Sequence, residues 1–167
     1  MVDRYREIIW QQFGAAIDAL GAAIEACPGE LWDDRSRKPE FWYVAYHALF
    51  WLDYYLTDDF ERFAPPAPFK LEELDSAGIL PERPYTKDEL RAYLKYGREK
   101  CRTAVGTMTE EKAQRAIKFG RVDLSFAELL LYNMRHVQHH AAQLNLILRQ
   151  IVDSAPGWVF RAGHGSL

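Results

Sequence analysis

Three of the five histidines fall in one short run, Asn133-Met134-Arg135-His136-Val137-Gln138-His139-His140-Ala141-Ala142-Gln143-Leu144. On an α-helix His136 and His140 project within about 40° of each other with Cβ atoms about 5–6 Å apart, a spacing at which two imidazoles can share one metal ion. His139 points about 60° to the other side of His136, and because i,i+3 pairs also meet it is an alternative partner to His140. Leu129, Gln143 and Ile147 share the face of the pair, which turns the imidazoles inward. A lone histidine on an apolar face is more often a hydrogen-bonded core residue. Two inward imidazoles each need a partner, and a divalent cation satisfies both at once. A metal site with open positions would still need a third ligand from elsewhere in the chain.

The elements that must position this run read as helices. Ile9, Phe13, Ile17, Leu20 and Ile24 recur at helical spacing from Asp3 to about Ala26, where Cys27-Pro28-Gly29 stops them. After a loop through Trp32 to Lys38, a second helix is expected over Pro39 to Phe60, with Pro39 in its first turn. It is dense in rings: Phe41, Trp42, Tyr43, Tyr46, Phe50, Trp51, Tyr54 and Tyr55. Such a helix is central to its fold or lies against a second subunit. His47 sits in it, on one side with Glu40, Tyr43, Trp51, Tyr54 and Asp58, and on its own is as consistent with a core histidine as with a third ligand.

Between Glu61 and Tyr85 five prolines exclude a long helix. A connection of that length exceeds what neighbouring helices need, so it is expected to cross the length of the domain, with a short helical turn at Leu71–Leu74. Thr86-Lys87-Asp88-Glu89 and Ser125-Phe126-Ala127-Glu128 are capping boxes that open a third helix, to about Thr107, and a fourth, to about Val152. The stretch from Lys112 to Asp123 is expected to be a loop, with at most a hairpin. Four long helices with one long crossover and no internal repeat make an all-α class, a four-helix bundle in a single domain over 1–167. The tail Trp158-Val159-Phe160-Arg161 is too aromatic to hang free in water. Gly163-His164-Gly165-Ser166 is expected to be disordered, which removes His164 as a ligand.

With 167 residues and 49% hydrophobic content, such a domain buries roughly 70% of the surface its unfolded chain exposes. Cys27 and Cys101 lack a C-x-x-C or zinc spacing and read as small buried hydrophobes in a reducing compartment. The charged start Met1-Val2-Asp3-Arg4 has no signal-peptide core, and no apolar run is long enough to span a bilayer, so a soluble cytoplasmic protein is expected. A formal net charge of −3 and a pI near 6.0 argue against nucleic acid, and Arg35-Ser36-Arg37-Lys38 is best read as a solvated loop. No G-x-S-x-G, P-loop or G-x-G-x-x-G motif competes for the chemistry.

His47 within His-Ala-Leu-Phe-Trp-Leu-Asp-Tyr-Tyr-Leu, together with His136-x-x-His139-His140-x-x-Gln143, resembles the DinB/YfiT-like family of metalloenzymes, and the resemblance spans the whole chain. It implies a four-helix bundle in which His47, His136 and His140 hold a divalent metal such as zinc or nickel. It also implies a thiol-dependent S-transferase, a related thiol-dependent isomerase or a hydrolase acting on a small molecule, with a low-molecular-weight thiol, and a homodimer. One departure from the pattern is Ala141-Ala142 where relatives carry Arg-Gly before the glutamine; the extra methyl is expected to widen a helix contact slightly.

Three neutral imidazoles would leave a dication an open position, where a bound water or thiol becomes a nucleophile at neutral pH. Tyr43 and Tyr54 are candidate proton donors beside it, and Asp53, about 120° around the helix from His47, is a poor fourth ligand. The competing reading is a non-catalytic metal-binding or protein-interaction module that presents its aromatic helix. Haem is a third, but His136 and His140 on one helix cannot take opposite faces of one porphyrin.

Overall fold

Apolar side chains at three- and four-residue spacing fold this chain mostly into helices, seen here in a computed structural model that describes residues 2–163 and 167. His164 lies outside the described residues, with Gly165 and Ser166. The long helices are α1 (Val2–Ala26), α3 (Phe41–Tyr55), α4 (Lys87–Gly106) and α6 (Phe126–Val152). Single turns form α2 (Gly29–Trp32) and α5 (Glu110–Gln114). Helix α1 packs on α6 and α4, and α3 packs on the same two.

Four side chains of α1, Phe13, Ile17, Leu20 and Ile24, are fully buried. Each such burial is worth about 1.5–3 kcal/mol, which outweighs the roughly 1 kcal/mol that each of Gly14 and Gly21 costs inside the helix. Those glycines admit close neighbours. A Cβ at Gly21 would stand 2.7 Å from Leu94 Cδ2, and one at Gly14 would stand 2.6 Å from Cβ of Ala162 in the tail.

Both capping boxes form in full. Thr86 accepts from the Glu89 amide while Glu89 accepts from the Thr86 amide, and Ser125 and Glu128 do the same at α6. Helix α3 is shorter than its ring pattern suggests. Glu40 is its N-cap in extended conformation, so Pro39 precedes the helix instead of opening it, and Leu56 caps the other end. Beyond it Asp59 Oδ1 accepts from the amides of Glu61 and Arg62 and turns the chain away.

The segment from Lys112 to Asp123 is more ordered than expected. After α5, strands β1 (Ala116–Phe119) and β2 (Val122–Ser125) pair antiparallel around Gly120, whose φ of 52° suits a residue without a side chain. A cross-strand pair, Lys118 with Asp123 at 3.0 Å, and the Phe119 ring stacked on Phe60 hold a hairpin too short to show periodicity.

The rings of α3 are covered within the chain. The connection runs back along the helix: Phe63 meets Phe50 and Tyr54, Phe69 stacks on Tyr46, and Tyr85 meets Tyr46 and Trp42. Its one short helical turn, a 3-10 turn, is at Glu72–Leu74. The tail is strapped to α1 by its backbone, the Ala162 amide to the Gln11 carbonyl and the Gly163 amide to Asp18. Gly163 is therefore tied down, contrary to the expectation of disorder there. Trp158 and Phe160 stay 71% and 79% exposed, so the strap docks through its main chain and the smaller side chains of Val159 and Ala162, while its large rings face water. No helix among the described residues is long and apolar enough to cross a membrane.

Candidate metal centre

Helices α3 and α6 bring His47, His136 and His140 together. Val137, Ala141, Leu144 and Leu148 bury one stripe of α6, and Asn133, fully buried, donates to the Leu52 carbonyl of α3 at 3.0 Å. That bond and the apolar stripe set the rotation of α6, so that the positions just beside the core face His47. The ring centroids of His47 lie 5.3 Å from His136 and 4.7 Å from His140, which are 4.5 Å from each other. One ring nitrogen from each falls within 4.8 Å of the others, and all three side chains are half-buried.

Hydrogen bonds determine which nitrogens face the centre. His140 Nδ1 lies 2.7 Å from Gln143 Oε1, an acceptor, so Nδ1 carries the proton and Nε2 presents a lone pair. His47 Nδ1 lies 2.6 Å from the carboxylate of Glu73, with the same consequence for its Nε2. The Nε2 atoms of His136 and His140 are 3.1 Å apart. His136 Nδ1 is buried without a hydrogen-bond partner.

Burial pushes the His136 imidazole down to about 3 and His140 down to about 4, with the neighbouring histidines adding to both shifts. Both rings are neutral at pH 7, so each has one lone pair to offer a cation. Three imidazoles converging on one point, two of them with the outer nitrogen anchored to an acceptor, are a donor set that fits a divalent cation.

The carboxylate of Glu73 is the member that periodicity does not reveal. It lies on the 3-10 turn, its side chain 5% exposed, and Oε2 accepts from His47 Nδ1 and from Trp51 Nε1 at 2.9 Å. Against the desolvation that burial imposes, hydrogen bonds from His47, Tyr43 and Trp51 hold Glu73 below the usual carboxylate range. Burial raises the Tyr43 hydroxyl, and its bond to Glu73 raises it further. The only signal in the sequence is chemical: a ligating imidazole needs an acceptor for its outer N–H, but Glu61, Glu72, Glu73, Asp75 and Glu82 all qualify by type.

Tyr43 and Trp51 flank His47 as expected. Tyr54 touches Trp51 but not His47, and packs among Phe50, Phe60, Phe63 and Phe119. The second tyrosine against the histidines is Tyr55, whose ring lies 6.0 Å from His136 and 5.3 Å from Tyr132. His139 is exposed and touches His140 from outside the cluster. Asp53 is fully buried on another side of α3, held by Lys100 Nζ at 2.5 Å and Tyr93 Oη at 2.9 Å. Cys27 and Cys101 are buried as read, and neither joins the cluster.

A groove of about 600 Å³ runs between α1, α6 and the tail, lined by Gln12, Arg135, His139 and Trp158 among others, and of the three histidines only His136 lines it. Ala142 also lines it and is exposed, so its methyl sits at an open groove wall instead of widening a helix contact. The sequence profile of the DinB superfamily matches residues 12–144, from α1 to beyond the last of the three histidines. No curated protein and no solved structure gives a significant match.

Proposed function

The chain belongs to the DinB superfamily, and from that premise we propose that it is a divalent-metal-dependent enzyme, an S-transferase or hydrolase acting on a small molecule. His47, His136 and His140 are its metal ligands, and α1, α3, α4 and α6 form a four-helix bundle around them. The observation that carries the reading is the convergence of three imidazoles from two helices on one point. Zinc or nickel suits nitrogen ligands of this kind. When bound, such an ion lowers the pKa of a coordinated thiol or water and so supplies a nucleophile at neutral pH. A low-molecular-weight thiol is the co-substrate this chemistry favours.

The chain's own residues do the rest. Glu73 and Gln143 orient His47 and His140, the Tyr43 hydroxyl keeps its proton and donates it in a hydrogen bond to the Glu73 carboxylate, and the rings of Trp51 and Tyr55 narrow the approach of water. A structural zinc site is normally closed by four protein ligands, usually including cysteine. Three histidines, joined by no cysteine or carboxylate ligand among the described residues, support an open, catalytic site instead.

The test is metal analysis of protein purified without an affinity tag, followed by X-ray absorption of the bound ion. About one divalent ion per chain, lost in a His136→Ala, His140→Ala double variant, with an exchangeable water or added thiol in its coordination sphere, is the expected result. A fourth protein ligand closing a tetrahedron would leave the non-catalytic metal-binding or interaction module as the reading. Metal content unaffected by the double variant would remove the site altogether.

The protein is also proposed to be a cytoplasmic homodimer that contacts neither nucleic acid nor membrane. The rings of α3 are covered within the chain, so support for a dimer moves to the exposed Leu146, Ile151, Trp158 and Phe160 of α6 and the tail. Light scattering at micromolar concentration decides it, since a particle of 19.4 kDa is a monomer.

A further inference from the structure

A histidine that ligates through one nitrogen depends on what its other nitrogen holds. His140 is served from one turn along its own helix, but His47 is served by Glu73, 26 positions away on the proline-rich connection. The donors to that carboxylate, Tyr43, His47 and Trp51, occupy i, i+4 and i+8 of α3, a single stripe aimed at one buried acid. Phe69 and Tyr85 anchor the two ends of the segment in the core. Between them its apolar residues Leu71, Leu74, Ile79 and Leu80 are all exposed, its ion pair Lys70 with Glu82 is a surface pair worth little, and the Arg83 pair with Glu89 of α4 ties only its far end. Glu73 is therefore the principal buried anchor of the stretch 70–84.

We propose that Glu73 is a positioning residue that holds His47 for metal binding, and that through it occupation of the histidine site and closure of the 70–84 stretch are coupled. The proposal rests on the three-histidine reading. Coupling of this kind is reciprocal: if the closed stretch raises metal affinity, bound metal must hold the stretch closed by the same factor. The second oxygen of Glu73, Oε1, is buried without a partner, so the carboxylate is not saturated by the stripe and has acceptor capacity left when the His47 N–H bond strengthens on ligation.

The experiment compares wild type with Glu73→Leu, which removes the acceptor, and with Glu82→Gln, which removes only the surface pair with Lys70 in the same stretch. It reads zinc affinity by chelator competition, amide hydrogen exchange over 70–84 with and without zinc, and the His47 ring nitrogen shifts in the metal-free protein. Glu73→Leu is expected to weaken zinc about tenfold to a hundredfold and to abolish the slowing of exchange that zinc produces in wild type. Glu82→Gln is expected to leave affinity near wild type. Equal loss in both variants would overturn the proposal, as would unchanged affinity in Glu73→Leu or exchange over 70–84 that ignores zinc. If wild type takes up no metal, the three-histidine reading fails separately. Positioning is then judged on the metal-free spectra: a fixed Nδ1–H tautomer of His47 that is lost in Glu73→Leu supports it, and an unchanged tautomer overturns it.

Discussion

His136 and His140 point their Nε2 atoms at each other across 3.1 Å. With His140 Nδ1 already committed to Gln143, its Nε2 has only a lone pair to offer, so the pair is held either by a proton from His136 or by a cation between the rings. His139 has no part in that geometry.

Single variants should therefore separate the adjacent histidines. His139→Ala is expected to keep metal affinity within about tenfold of wild type, while His140→Ala loses more than about a hundredfold, the upper range for merely supporting groups. Isothermal titration with zinc measures both. Comparable losses would move the ligand to position 139 or share it.

The buried Asp53 ties α3 to α4 through Lys100 and Tyr93. Removing one partner strands a carboxylate that is fully buried, and the cost of breaking such a pair is about 3–5 kcal/mol, taken at the lower end because Lys100 is 23% exposed. Lys100→Met should lower urea-unfolding stability by about 3 kcal/mol, and Asp53→Leu with Lys100→Met should recover most of it. A single variant as stable as wild type would mean that the acid is not charged in the native protein.

Cys27 is pushed up to about 12 by burial, and burial raises Cys101 as well. A raised thiol has almost no thiolate at pH 8, so neither should react with a thiol reagent in the native protein, and both should react once it is unfolded. Fast reaction under native conditions would require a local opening of the turn after α1 for Cys27, or of α4 for Cys101.

At Gly14 two effects oppose each other. Alanine gains up to about 1 kcal/mol in helix propensity, yet its methyl would meet Ala162 at 2.6 Å. The strap is held mainly by main-chain bonds at the surface, so it should yield before the helix does. Gly14→Ala is expected to leave the thermal midpoint near wild type while trypsin cuts after Arg161 faster. Unchanged cleavage would show that the strap accommodates the methyl.

How much of this was legible follows from how local each feature is. Helices α4 and α6 begin where their capping boxes place them because all the partners lie within four residues. The pairing of His136 with His140 is likewise one turn of helix. That His47 meets them depends on α3 packing against α6, which spacing alone leaves open and the family resemblance supplied. Glu73 was out of reach because its segment has no periodicity to give a face. The hairpin was legible only as an option within a loop, because four-residue strands carrying Lys118 and Asp123 resemble a loop until Phe119 finds Phe60. The rings of α3 pointed to a central helix or a second subunit, and Phe63, Phe69 and Tyr85 cover them from within the chain.

Ser125 closes β2 opposite Ala116 and is also the N-cap of α6, which fixes the helix's starting phase eleven residues before His136. The site consequently tolerates length changes asymmetrically. Residues added at the Gly120 turn lengthen a surface loop and leave the clocking of α6 intact. One residue inserted between Ser125 and His136 swings both histidines by about 100° around the axis relative to their start, out of line with His47. Natural or engineered insertions should therefore accumulate upstream of Ser125 and be excluded from the three turns that follow it.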